Sequence, residues 1–142
     1  MKINKSASAH WEGSLKEGKG YISTESGVLD NQPYGFNTRF EGGNGTNPEE
    51  LVGAAHAGCF SMALSMVLGE AGFTPDDIST VATVSLEKSD AGFAVTASHL
   101  DVTAKVPGAT AEQFAEAAAA AKENCPISKL LSAEITMDAT LA

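Results

Sequence analysis

With 142 residues, 43% of them hydrophobic, the chain is long enough for one ordinary globular domain with a core of its own. Its formal charge of −9 and a sequence pI near 4.6 argue against a nucleic-acid-binding protein and against adhesion to anionic membrane surfaces. The start, Met1-Lys2-Ile3-Asn4-Lys5-Ser6, lacks the apolar stretch of a secretory signal, so a cytoplasmic location is expected. In that compartment two cysteines are reactive, ligating or inert rather than a permanent cross-link.

Residues 5 to 45 read as strands and turns. His10-Trp11-Glu12-Gly13 ends a first strand, Gly20 to Thr24 lies in a second, and Gly35 to Glu41 alternates as a third, with Lys16-Glu17-Gly18 and Asp30-Asn31-Gln32-Pro33 as turns. In that third strand Phe36, Thr38 and Phe40 would share one face, and Asn37, Arg39 and Glu41 the other. The loop Gly42-Gly43-Asn44-Gly45 leads into the strongest helix-start signal of the chain. Asn47 is a good N-cap, Pro48 suits the first helical position, and Glu50 stands three after the cap, as in a capping box. The helix is expected to run to about Glu70, with Gly72 as its stop and Pro75 beyond.

Residues 51–69 are apolar enough to raise the question of a membrane span. His56, Ser61, Ser65, the Gly and Ala content and the two leading carboxylates argue instead for a buried helix covered on more than one face. Beyond it, Ile78 to Lys88 and Phe93 to Val106 read as a hairpin around Ser89-Asp90-Ala91-Gly92, with a bulge near Ala97 to His99. Thr110-Ala111-Glu112-Gln113 is a second capping box and opens an alanine-rich helix to about Glu123. Asn124-Cys125-Pro126 breaks it, Pro126 starts a short further turn, and Glu134 to Leu141 is a last strand. No repeat or linker divides the chain, so residues 1–142 are expected to form a single domain. The class is α+β without a βαβ rhythm. One sheet covers one side of the long helix, and a second copy of the chain is the simplest cover for the other, which implies a homodimer.

Cys59 lies about twelve residues past the N-cap, beyond the reach of the helix dipole. Among Ala55, Met62 and Ala63, burial would raise its thiol pKa above the free value of about 8.5 and leave it inert. Arg39 is a candidate to reverse this, because it is the only arginine, the other positive charge being carried by lysines. Its permanent charge and planar donor fork suit it to stabilising a thiolate or clamping a carboxylate; an exposed strand arginine is the plainer alternative. Glu49, free of capping duty, could orient it. In a straight helix Glu49 stands roughly 15 Å along the axis from Cys59. A bend near Gly53, a bridging arginine, or a glutamate from a partner subunit would each close that gap. Cys125, in an irregular polar segment, has the setting of a mobile, exposed resolving thiol. The rival is a metal site from His56, Cys59 and Cys125, which supplies only three ligands and no paired cysteines. His10 and His99 read as structural or surface residues, and Trp11 as core.

Taken together, Asn47-Pro48-Glu49-Glu50-Leu51 and Ala54-Ala55-His56-Ala57-Gly58-Cys59-Phe60-Ser61-Met62-Ala63-Leu64 form a recognisable signature. Gly27-Val28-Leu29, Pro33-Tyr34-Gly35-Phe36-Asn37-Thr38-Arg39-Phe40 and Asn124-Cys125-Pro126 extend it. Over essentially its whole length the chain resembles the osmotically inducible protein C (OsmC) family, sister to the organic hydroperoxide resistance proteins. The resemblance implies an intertwined α+β homodimer, with long central helices packed between antiparallel β-sheets and active sites at the subunit interface. It implies a thiol-dependent peroxidase of bacterial defence that prefers organic hydroperoxides to hydrogen peroxide. By position Cys59 matches the peroxidatic cysteine, Cys125 the resolving cysteine, Arg39 the activating arginine and Glu49 its partner. No prosthetic group is implied; the reductant is an external dithiol of the lipoyl type, carried on lipoylated proteins. His56 stands where the sister branch tends to carry an aromatic. Met62, Met66, Phe36 and Phe40 are candidates to line an apolar path for the peroxide. The other classes weighed are a Cys/His metal-binding module and a non-catalytic, stress-induced dimer with buried thiols.

Overall fold

Turn chemistry and alternation build the first sheet. A computed structural model describes all residues, Met1–Ala142, and divides them into two units, Met1–Leu51 and Val52–Ala142. In the first unit β1 (Ala7–Glu12), β2 (Lys19–Thr24) and β3 (Gln32–Tyr34) form an antiparallel sheet in that order. Gly20 pairs with both Trp11 and Tyr34, whose rings lie 5.5 Å apart. A Cβ on Gly20 would stand 2.5 Å from the Tyr34 ring and 2.6 Å from that of Trp11, so only glycine lets the two rings close over the strand. Trp11 is half-buried rather than core.

The expected third strand over Gly35 to Glu41 is a helix instead. β3 ends at Tyr34, and Phe36–Phe40 forms the one-turn helix α1. Thr38 decides the matter locally: its hydroxyl accepts from the Gly35 N–H at 2.9 Å and donates to the Gly35 carbonyl at 3.0 Å. An alternation of five residues also fits one helical turn, where Phe36 and Phe40 meet at i, i+4 with ring centroids 4.8 Å apart.

Helix α2 (Pro48–Glu70) starts as its sequence demands, the Asn47 side chain accepting from the Glu50 N–H at 2.8 Å. The box is not reciprocal, because the Glu50 carboxylate takes the Thr46 hydroxyl at 2.9 Å. At the other end Gly72 has φ +89°, its N–H donates to Gly69, and the Phe73 N–H donates to Leu68 at 2.9 Å. That pair of bonds is a Schellman stop. By length and composition α2 could cross a membrane. Its buried residues, however, are Gly53, His56, Phe60, Leu64 and Leu68, a single stripe at helical spacing. Met62 and Met66 remain 77% and 60% exposed, so within the chain the helix is covered on one face rather than on several.

The second unit carries β4 (Asp77–Ser89), β5 (Gly92–Lys105), α3 (Ala111–Asn124), α4 (Pro126–Leu130) and β6 (Glu134–Leu141). β4 and β5 form the expected hairpin, and the bulge falls at Thr96, left unpaired between Leu86↔Val95 and Ser85↔Ala97. β6 runs parallel to β5 from Ala97↔Glu134 to Ala104↔Leu141, so this sheet is mixed, not antiparallel. The reason is the α3–α4 segment. It is long enough to return the chain to the starting end of the sheet, which makes β5–α3–α4–β6 a crossover unit that the expected class lacked. Both side-chain bonds of the Thr110–Gln113 capping box form, at 3.1 and 3.0 Å.

Phe60, Leu64 and Leu68 pack with Leu100, Val102 and Ala104 of β5 and with Phe114, Ala117, Ala118 and Ala121 of α3. Phe60 is fully buried at the centre of this cluster. Phe60→Ala is expected to destabilise the fold by roughly 3–5 kcal/mol, through lost transfer energy plus a cavity that α2 and β5 cannot close. The loss is read as a lowered urea midpoint at unchanged slope.

Candidate thiol and arginine–glutamate sites

Four side chains form two pairs, one in each unit. Arg39, on α1, turns toward the first turn of α2 and meets Glu49 of the same chain. Its Nη2 donates to Glu49 Oε1 at 2.6 Å, and its Nε lies 3.1 Å from both carboxylate oxygens. The Glu49 side chain is only 13% exposed, against 36% for Arg39. An exposed ion pair contributes little to stability, whereas this forked geometry fixes the plane and direction of the guanidinium. The guanidinium carbon also lies 5.6 Å from the centre of the Phe40 ring. An open groove beside it is lined by Trp11, Leu15, Tyr34, Phe36, Phe40 and Pro48. Arg39 is therefore on a helix rather than a strand, still exposed, and within the chain it pairs with Glu49.

In the second unit Cys59, half-buried on α2, lies beside Cys125, close enough for each thiol to affect the other's ionisation, and both are free. Cys125 is not exposed and mobile as expected; it is fully buried. It caps the end of α3, its N–H donating to Ala121 at 2.9 Å, and its extended backbone leads directly to Pro126 at the start of α4. The proline imposes both features, since the residue before it avoids the helical region and its own φ suits a helix start. The break places Ile127 and Ser128, in the first turn of α4, next to the Cys125 sulfur.

These neighbours divide the two thiols. Burial pushes the Cys59 thiol up, and donating its proton to Cys125 pushes it further, against one opposing N–H from Ile127. Burial also penalises the Cys125 thiolate, but the Cys59 donor, the two N–H groups and the Ser128 hydroxyl outweigh it and bring that thiol down. The two thiols therefore ionise as a pair rather than independently. Within this unit, a Cys59 thiolate lacks the cationic neighbour that a peroxidatic thiol needs. Cys59 also lines an open apolar groove with Met62, Met66, Val67, Asn124 and Pro126. Of the four expected apolar-path residues, Met62 and Met66 border the thiols, while Phe36 and Phe40 border Arg39.

His56 is fully buried, and both ring nitrogens are taken: Nδ1 lies 2.7 Å from Ser98 Oγ and Nε2 2.8 Å from Ser128 Oγ. That leaves no nitrogen for the metal site considered with Cys59 and Cys125. A different cluster, His99, Asp101 and Asp138, brings three ligand-type atoms within 4.8 Å of one another on the β5–β6 surface. Ser98 and Ser128 had no sequence signal of their own. A histidine in an otherwise apolar helix was the one hint that buried hydroxyls must lie nearby.

Two free cysteines side by side on a two-sheet α+β fold have the chemistry of a redox dithiol. A family model described as OsmC-like protein matches residues 41–140. The chain is 63% identical over 138 residues to Peroxiredoxin OsmC of Escherichia coli (strain K12), covering 97% of this chain and 96% of that one. It is 34% identical over 111 residues to the organic hydroperoxide resistance protein OhrB of Bacillus subtilis (strain 168), covering 78% and 79% of the two chains. The crystal structure of Bacillus subtilis OhrB matches with a TM-score of 0.68 at 29% identity, over 96% of this chain and 98% of that one. The chain belongs to the OsmC family.

Proposed function

We propose that this chain reduces organic hydroperoxides, and more weakly hydrogen peroxide, to alcohols through a Cys59 sulfenic acid and a Cys59–Cys125 disulfide. It is a thiol-dependent peroxidase of hydroperoxide defence, like the peroxiredoxin and the hydroperoxide resistance protein it is similar to. The observation that supports the residue assignment is the pair of free thiols side by side in one unit, one opening onto an apolar groove and the other buried. In the first step the Cys59 thiolate attacks one peroxide oxygen, the O–O bond breaks, and the alkoxide leaves as alcohol after taking a proton. Arg39 provides the cation that favours this thiolate, its direction set by Glu49. The Cys125 sulfur then attacks the Cys59 sulfur; an S–S bond forms, the S–O bond breaks, and hydroxide leaves as water with the proton of the resolving thiol. An external dithiol, lipoyl-type on a lipoylated protein, returns both thiols by exchange, and no prosthetic group takes part.

The two units act as one OsmC-like domain, and the working form is a cytoplasmic homodimer with the long helices at its centre. The exposed Met62 and Met66 face of α2 supports that reading, because an apolar helix covered on one side needs a second surface. Titration of thiols before and after one equivalent of cumene hydroperoxide is the test. Both thiols of each chain are expected to disappear together; a stress-induced dimer with inert thiols would keep both.

A further inference from the structure

Helix α4 has Cys125 at its N-cap position, yet its own residues give it little hold on the fold. So short a helix does not stand by itself. Pro126, Lys129 and Leu130 are exposed, Ile127 packs half-buried at the edge of the core, and the only buried residue of α4 is Ser128. Where an apolar side chain would ordinarily anchor such a turn, the Ser128 hydroxyl lies 2.8 Å from His56 Nε2. The other ring nitrogen, Nδ1, lies 2.7 Å from the hydroxyl of Ser98 on β5, the central strand of its sheet. Ser98 and His56 are fully buried, and no buried side-chain polar atom lacks a partner. Cutting either bond would strand a polar group away from water, so the three residues hold together as a unit.

The spacing relates this unit to the thiols. His56 stands one helical turn before Cys59 on α2, and Ser128 one turn after Cys125 into α4. Cys59 shares a groove with Asn124 and Pro126, the two residues that flank Cys125. The backbone from Cys125 to Ser128 is stiff. The Cys125 N–H donates to the Ala121 carbonyl at 2.9 Å, the Cys125 carbonyl accepts from the Lys129 N–H at 3.1 Å, and Pro126 fixes its own φ between them. Two rungs thus join α2 to the break between α3 and α4. One is the pair of thiols, and the other, a turn away, is the bond between His56 and Ser128.

We propose that Ser98, His56 and Ser128 form a pin for the resolving step: it holds α4, and with it the Cys125 backbone, where Cys125 reaches a Cys59 sulfenic acid. The proposal rests on the reading that Cys125 resolves that acid. Ser98 is the fixed end, because β5 is paired on both sides, to β4 and to β6. His56 and Ser128 are positioning residues that act through the backbone, not through the acidity of either thiol. A displacement of about 1 Å between reacting groups can cost roughly a hundredfold in rate.

The two chemical steps are read separately after one equivalent of cumene hydroperoxide. Loss of the Cys59 thiol and sulfenic acid trapped with dimedone report oxidation; disulfide mass reports resolution. In Ser128→Ala and in His56→Leu, oxidation should keep its rate while resolution slows by about tenfold to a hundredfold. The factor should be the same at neutral and at alkaline pH, because distance rather than thiol ionisation has changed. With excess peroxide these variants should carry Cys59 on to sulfinic acid, a second peroxide oxidising the sulfenic acid that Cys125 has not reached. His56→Gln, whose amide nitrogen reaches the Nε2 position, should recover much of the rate. The double variant should be no slower than the slower single one, since both cut the same bond. Ser128→Ala carries the test by itself if His56→Leu fails to fold. Unchanged resolution in Ser128→Ala would overturn the proposal, and so would equal slowing of both steps or a slowing that vanishes at alkaline pH; each of these leaves the Cys59–Cys125 disulfide standing. A parent protein that forms no such disulfide would overturn the underlying assignment together with the pin.

Discussion

Cys59→Ser is expected to consume cumene hydroperoxide at the uncatalysed rate in the presence of a lipoyl-type dithiol, while Cys125→Ser still destroys one equivalent per chain. A serine hydroxyl ionises too weakly to attack peroxide, and nothing around position 59 in its unit acts as a base for it. Cys125, although it has the lower pKa of the pair, cannot substitute. It is fully buried, whereas Cys59 opens onto the Met62 and Met66 groove. Access and acidity are thus divided between the two thiols. The sulfur that opens onto the groove is the one whose acidity burial lowers, and the other is kept from solvent. In Cys125→Ser the first oxidation should proceed and sulfenic acid should accumulate. Single-turnover peroxide loss with dimedone trapping reads both variants, and full activity in Cys59→Ser would end the assignment.

Arg39→Ala should slow the oxidation of Cys59 by roughly a hundredfold to a thousandfold, the usual loss when an oriented donor to developing charge is removed. The pH profile gives the sign. Burial and the bond to Cys125 raise the Cys59 pKa above the ordinary thiol value. Without a compensating cation the reactive thiolate is scarce at neutral pH, and its share grows tenfold per pH unit up to that raised pKa. The variant should therefore gain rate steadily into alkaline solution, with its midpoint above that of the parent. Arg39→Lys should recover only part of the loss, since an ammonium keeps the charge but cannot reproduce the three contacts from Nε and Nη2 to Glu49. Stopped-flow oxidation across pH is the measurement; a parent-like rate in Arg39→Ala would remove the activating role.

Where local chemistry speaks unambiguously, the sequence was a sufficient guide. The limits of α2 follow from Asn47 and Gly72, those of α3 from Thr110 and Cys125-Pro126, and β6 was legible to the residue from its alternation. Misreadings came where a decision depends on distant contacts. Five alternating residues from Phe36 to Phe40 satisfy strand and helix alike, and the Thr38 bonds to Gly35 settle it only once the chain has turned. The direction of β6 depends on where α3 and α4 deliver the chain. The irregular sequence around Cys125 suggested exposure, yet α3 buries that cysteine against the core while the proline bends the backbone. Glu49 and Arg39 were readable as a pair by their chemistry. Ser98 and Ser128 were not, because a lone serine in a strand or a short helix has no pattern.

The sulfur contact also bears on how firmly the protein holds together at each stage of its cycle. Cys59 and Cys125 stand far apart in sequence but lie beside each other in the fold, so joining them asks for limited movement of α2 or of the break after α3. A covalent link across that many residues restricts the unfolded chain by about 4 kcal/mol at room temperature. A Cys59–Cys125 disulfide would therefore make the oxidised form the firmer of the two, and its reduction would return the looser one.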